Sequence, residues 1–221
     1  MRYIIMCGGT YPRWEQPRQL TIVYGEPIVA RTIRLLREHG IDDIAISSNN
    51  DVFNQFGVPV LSHDNDYTWL EYNFSDGLWC NCFYPTDEPT TYLFGDVVYS
   101  RKAIETIINY DTDDIMFFGS KPPFSHQYPK PYIEPFAFKV VDTDHLHRAV
   151  AQVKQLYADG QFEREPIAWE TWNVINGNAN PNKINYSTYI GINDFTCDID
   201  KPNEVDIITR INREIYLTEG E

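Results

Sequence analysis

The sequence predicts an α/β fold built on a doubly wound sheet. Short apolar runs with strand character alternate with amphipathic helical stretches along most of the chain. Such alternation calls for a largely parallel sheet with right-handed crossovers. The first 47 residues already hold one complete strand–helix–strand unit. The 221 residues, 43% hydrophobic and 23% charged, suit a single globular domain over 1–221. A chain of this size buries a core without disulfide or metal support.

Residues 3–7 read as a buried first strand. From Pro27 to His39 the apolar positions 28, 29, 33, 35 and 36 share one helical face, and Gly40 supplies the stop. Residues 43–47 read as the next strand and Val58–Leu61 as a short one. Asp76–Tyr84 has the spacing of a helix, and Thr90–Phe94 is a β-branched and aromatic strand ending in Gly95-Asp96. Ser100 caps a helix that runs to Asn109. Asp114–Phe118 follows as a strand. Prolines crowd the stretch from Lys121 to Pro135, which predicts a long loop or lid. Glu134–Val141 reads as a strand, Thr143–Tyr157 as a helix and Trp169–Ile175 as a short helix. An Asn-rich turn region, Asn176–Asn185, precedes a strand at Tyr189–Ile192. Pro202–Tyr216 closes the chain as a helix, with proline near its first position and acids in its first turn.

The formal net charge of −14 makes the body a poor binder of nucleic acid or anionic membrane. No apolar run reaches the roughly 18–20 residues of a membrane span. The apolar start is too short for a signal peptide and runs into Gly8-Gly9, so a cytoplasmic location is expected. The cysteines at 7, 80, 82 and 197 lack zinc spacing and read as reduced thiols.

The charge is uneven. Residues 1–40 hold six arginines against three acids and carry +3, which leaves −17 on the rest. A basic patch on an acidic protein suggests a place for an anion such as phosphate. Arg31, Arg34 and Arg37 recur at helical spacing and read as a solvated face, whereas Arg13 and Arg18 lie in a loop. That loop follows the first strand as Cys7-Gly8-Gly9-Thr10-Tyr11-Pro12-Arg13. Glycines there let backbone N–H groups approach a phosphate closely. The loop is neither a Walker loop nor a dinucleotide fingerprint.

Three segments, Ile4–Arg13, Pro17–Leu20 and Tyr24–Ile28, together resemble the signature of the sugar-phosphate nucleotidyltransferases. That signature is a strand, a Gly-rich loop ending in Arg, a Pro-Lys, and a Gly-x-Pro before the first long helix. Gly40–Ile44 is similar to the start of the family's second strand, and Tyr92–Val97 to its strand ending in Gly-Asp. Cys197–Val205 resembles its Asp-x-Asp-x-Pro-x-Asp ending.

The resemblance implies a Rossmann-like α/β/α sandwich with a mostly parallel mixed sheet. It also implies a smaller inserted lobe, about 119–190, as the acceptor side or lid. The implied activity is a Mg²⁺-dependent nucleotidyl transfer from a nucleoside triphosphate to a small phosphorylated acceptor. The acceptor would be a sugar, polyol or choline-type phosphate, the other product pyrophosphate, and the outcome an activated building block for surface glycan. Cys7, Gly8, Gly9 and Thr10 would hold the nucleotide, and Asp96, Asp198 and Asp200 the metal. Arg13 would neutralise the β- and γ-phosphates, and Arg18 the α-phosphate and incoming phosphate.

Two positions depart from the family pattern: Tyr11 stands where a further Gly is usual, and Arg18 where Lys is. They keep a nucleotide-binding but inactive relative in view. A glycosyltransferase of related fold is the other rival, and Asp64 and Asp66 would then carry its metal. Lys121, His126, Lys130 and Lys183 are candidate phosphate contacts but read first as solvated surface. Trp69, Trp79, Trp169 and Trp172 read first as packing, and second as the wall of an acceptor pocket. The resemblance leaves an oligomer possible.

Overall fold

The computed structural model describes residues 1–210 apart from Thr10, Arg13, Asp64, Tyr72 and Asn73, and the side chains of 69, 71 and 74 are also undescribed. The main sheet contains β1 (Arg2–Met6), β2 (Ile44–Ser47), β3 (Val60–Leu61), β4 (Thr90–Phe94), β5 (Ile115–Gly119), β6 (Pro135–Val140) and β7 (Ile190–Gly191). Their spatial order is β7-β5-β6-β4-β1-β2-β3. β1 pairs in parallel with both β2 and β4. β2 pairs in parallel with β3, and β5 with β7. β6 runs antiparallel to both neighbours, β4 and β5.

The helices are α1 (Ile28–Glu38), α2 (Arg101–Asn109), α3 (Thr143–Ala158) and α4 (Ala168–Ile175). α1 packs on α2, and α3 on α4. Ser100 caps α2 by accepting from the Ala103 N–H, and Asp142 caps α3 through His145 N–H. β4 is buried along its whole length and β1 through its three middle residues, as expected of strands covered on both faces. Among the described residues no helix is long and apolar enough to cross a membrane. The four cysteines are buried free thiols.

Two topological facts position the site. The chain order reverses at β1, with β2 and β3 to one side and β4 to the other. Ligands of open α/β sheets sit at the carboxyl ends of the strands flanking such a switch point. The reversed strand β6 then delivers its beginning, not its end, to the carboxyl edge of β4: Ala137 lies opposite Leu93. Residues just before β6 therefore arrive at the same crevice. The segment from Lys121 to Glu134 is irregular chain, and β6 after it is an internal strand of the main sheet.

Two expectations need correction. Asp76–Tyr84 is not a helix. It begins as the end of a hairpin between Thr68–Glu71 and Phe74–Asp76, then makes one 3-10 turn at Trp79–Cys82. Gly77 has φ 75°, and Trp79 and Phe83 turn into the core against Phe138, at ring-centroid distances of 5.9 and 5.2 Å. Burying those rings outweighs the local helical pattern. Arg31 is not on a solvated face. It is 2% exposed and its Nε donates to the Tyr99 carbonyl. The final helix runs from 204 to 210, and its expected continuation to Tyr216 lies outside the described residues.

Candidate active site

Gly95 follows β4 and opens the crevice. A Cβ on it would lie 2.6 Å from the Met6 carbonyl oxygen and 2.7 Å from Cys7 Sγ, so only glycine lets the ends of β1 and β4 stay together. Asp96 comes next. Val97–Val98 then forms a short antiparallel ribbon with Cys197–Asp198, in which Asp198 lies opposite Val97. The Ile199 N–H donates to the Asp96 carbonyl at 3.1 Å. This pairing brings Asp198 and Asp200 to Asp96 across about a hundred residues of chain.

Arg18 stands between these acids. It is 8% exposed and ion-paired with Asp96, and its Nη1 lies 3.2 Å from Asp200 Oδ1 and donates to the Ile199 carbonyl. The Tyr11 ring covers the guanidinium at 3.8 Å from its carbon. Arg18 Nε is buried and has no acceptor among the described residues.

Lys130 is the second cation. It was expected on the solvated surface, but it is 7% exposed. Its ammonium donates to Asp198, to Glu134 Oε1 at 3.1 Å and to Asp200 Oδ2 at 3.2 Å, with Glu204 at 3.8 Å. Glu134 is the residue that the reversed β6 brings to the crevice, held by Ser120 Oγ on its N–H. Trp14 Nε1 donates to the Asp200 carbonyl.

Burial and neighbours set the protonation of this cluster. Burial works against the Arg18 charge, but Asp96, Tyr11 and Asp200 outweigh it and its pKa rises. Lys130 rises in the same way, with Asp198, Glu134 and Asp200 overcoming burial. Burial raises Asp96, and Arg18 offsets part of that. Burial and then the Asp198 charge push Glu134 well up. Burial and then Asp200 push Asp198 up to about 6. Asp200 goes down despite burial, because Lys130 and Arg18 favour its charge.

Glu134, Asp198 and Asp200 have carboxylate oxygens within 4.8 Å of one another. Three hard oxygen donors are the chemistry of a magnesium site. Asp96, Glu134, Asp198, Asp200 and Glu204 outnumber the two cations Arg18 and Lys130, so a divalent ion suits the charge balance as well. Of the sequence candidates, Asp198 and Asp200 belong to this trio, while Asp96 reaches Asp200 through Arg18.

Two cavities flank the cluster. The larger, about 650 Å³, is lined by Arg18, Asp96, Asp198 and Asp200 and extends past Trp79 to Trp169. The smaller, about 370 Å³, is lined by Cys7, Gly8, Gly9, Ser48, Asn49 and His63. Gly8 and Tyr11 border both. Thr10 and Arg13 lie outside the described residues. So does Asp64. Asp66 holds a turn, its Oδ1 accepting from Leu78 N–H and Asn81 Nδ2. Lys121 is committed to the Tyr186 and Tyr189 carbonyls. Trp172 packs on Phe117, and Trp79 and Trp169 serve both core and cavity.

Residues 3–154 match the MobA-like NTP transferase domain family. No curated protein matches the sequence. Among solved structures, the fold is similar to that of a Bacillus anthracis protein assigned as a glucose-1-phosphate thymidylyltransferase and bound to a sucrose. The TM-score is 0.57, with 16% identity over 96% of this chain and 95% of that one. It is also similar to CTP:phosphocholine cytidylyltransferase from Streptococcus pneumoniae, with TM-score 0.51 and 15% identity over 96% and 98% of the two chains. The inositol-1-phosphate CTP transferase from T. maritima gives TM-score 0.51 and 13% identity over 96% of each chain.

Proposed function

The chain belongs to the MobA-like NTP transferase family, and from that premise we propose that it couples a nucleoside triphosphate to a small phosphorylated acceptor with Mg²⁺ and releases pyrophosphate. The observation that carries this reading is the largely buried cluster of two cations and five acids at the β1/β4 switch point, beside a glycine loop. Phosphoryl and nucleotidyl transfers need positioning and charge neutralisation more than a protein nucleophile.

In this reading the smaller cavity takes the nucleoside, with the backbone of Cys7, Gly8 and Gly9 against the phosphates. Gly9 has φ 85°, a turn that suits such a cradle. Arg18 lines the larger cavity and sets its positive charge beside a phosphate at the reacting centre. Lys130 holds Glu134, Asp198 and Asp200 together behind the site. Arg13 remains the candidate for the β- and γ-phosphates by its place in the loop. Asp198, Asp200 and Glu134, with Asp96 close by through Arg18, would hold the magnesium. Bound there, the ion offsets phosphate charge and orients the triphosphate.

An oxygen of the acceptor phosphate forms a bond to the α-phosphorus. The α–β bridging bond breaks and its electron pair leaves with pyrophosphate. The attacking oxygen is already ionised at neutral pH, so no general base is required. The segment from about 119 to 190, with Trp169, forms the acceptor side. Sugar, polyol and choline-type phosphates are the acceptor classes, and the product is an activated building block. The glycosyltransferase rival loses its support at Asp66, which is committed to a turn.

Phosphorus NMR of the reaction mixture tests this. A new pair of coupled diphosphate resonances, joining the α-phosphorus to the acceptor phosphorus, is expected. Nucleotide consumption yielding only the monophosphate or diphosphate would refute the transfer.

A further inference from the structure

The larger cavity has a second charged feature besides the acid cluster. Among the described lining residues between 136 and 197, Arg164 is the charged one. Its neighbours on that wall are Ile167, Ala168, Trp169 and Ile184. Arg164 Nε and Nη2 lie 2.9 and 2.8 Å from Glu170 Oε1. The Glu170 side chain is 6% exposed, and its other oxygen accepts the Ile167 N–H at 3.0 Å. Glu170 is thus fixed at both oxygens, and it fixes the plane of the guanidinium.

That pairing uses one edge of Arg164. The other edge, Nη1 with the second hydrogen of Nη2, has no acceptor among the described residues. The side chain is 36% exposed although it lines the cavity. An oriented guanidinium with a free two-donor edge matches the two oxygens of a carboxylate. It would repel a quaternary ammonium.

We propose that Arg164 is an acceptor-recognition residue and that the acceptor is a phosphomonoester with a carboxylate at the end away from its phosphate, such as a sugar-acid or hydroxy-acid phosphate. The proposal rests on the nucleotidyltransferase reading for the placement of the acceptor in this cavity. The phosphate would sit by Arg18 and the acid cluster, the body against Trp79 and Trp169, and the carboxylate on the free edge of Arg164.

Calorimetric binding of glucuronic acid 1-phosphate, glucose 1-phosphate and choline phosphate to the full chain with Mg²⁺ tests it without requiring turnover. Glucuronic acid 1-phosphate is expected to bind tightest. Arg164→Gln is expected to weaken it by about 10- to 100-fold, the scale of a lost charge-assisted hydrogen bond, while glucose 1-phosphate changes little. Arg164→Lys should recover part of the loss. Because Arg164→Gln leaves Glu170 unpaired, the double variant Arg164→Gln/Glu170→Gln controls for folding and should show the same selective loss with a near-native thermal midpoint. Equal binding of the two sugar phosphates, equal weakening of both, or a preference for choline phosphate would overturn the proposal. Selective carboxylate binding without pyrophosphate release would retain this subsite and refute the transfer reading instead.

Discussion

Arg18 and Lys130 are the residues on which the cluster depends, and each is held by charge rather than by packing. Arg18 and Asp96 are both buried. Removing one partner of such a pair leaves an uncompensated charge in the interior, at about 3–5 kcal/mol. Arg18→Ala should therefore lower the thermal midpoint by roughly 10 °C in a chain of this size, and an unchanged midpoint would show that the pair is solvated. Asp198 yields a prediction with a definite sign. Burial and then Asp200 hold its pKa up at about 6, above its unfolded value, so its ionisation costs stability as pH rises from about 4 to 6. A divalent ion binds the ionised carboxylate, so protons compete with it below that value. Magnesium affinity should fall as pH drops through 6, by up to about tenfold per unit for one proton. Calorimetry between pH 5 and 7.5 measures this, and a flat profile would mean that Asp198 does not ligate.

At the scale of elements, the site depends on two strand ends and one reversed strand. Gly95→Ala would push a methyl group against the Met6 carbonyl oxygen, which is main chain and cannot turn aside. We expect a cost of about 1–3 kcal/mol from the overpacking, together with weaker nucleotide binding, as read by thermal shift with and without Mg·NTP. Native-like nucleotide binding would show that the β1/β4 edge is not the phosphate platform. The same elements mark how far the sequence could be read. Thr90–Phe94 and the helix from 28 were legible because local periodicity and burial agree there. Asp96, Asp198 and Asp200 could be picked as candidates from the motifs that contain them, and the structure brings them to one place. Glu134 could not be picked, since an acid before proline has no local signature, and only the antiparallel course of β6 brings it to the crevice. Lys130 was misread because its partners Asp198 and Asp200 lie 68 and 70 residues away. The hairpin before Gly77 was missed because burying Trp79 and Phe83 decided that segment, not its helical spacing.

Over the whole molecule the charge is −14, and the site itself gathers five acids around two cations. A polyanion such as a triphosphate is therefore not attracted by the protein's net field, and its binding should depend on a divalent ion brought with it. Thermal stability should rise by roughly 3 kcal/mol at a hundred times the dissociation constant of Mg·NTP. It should rise far less with the same nucleotide in EDTA, and equal shifts would argue against the metal reading. The most direct test of the central claim is pyrophosphate release. The chain would be supplied with each of CTP, UTP, GTP, ATP and dTTP, Mg²⁺, and a panel of sugar, polyol, sugar-acid and choline phosphates. Release that requires both one nucleotide and one acceptor, and that is lost in Asp96→Ala, is expected. Release from no pair, or release undiminished in Asp96→Ala, would contradict that claim.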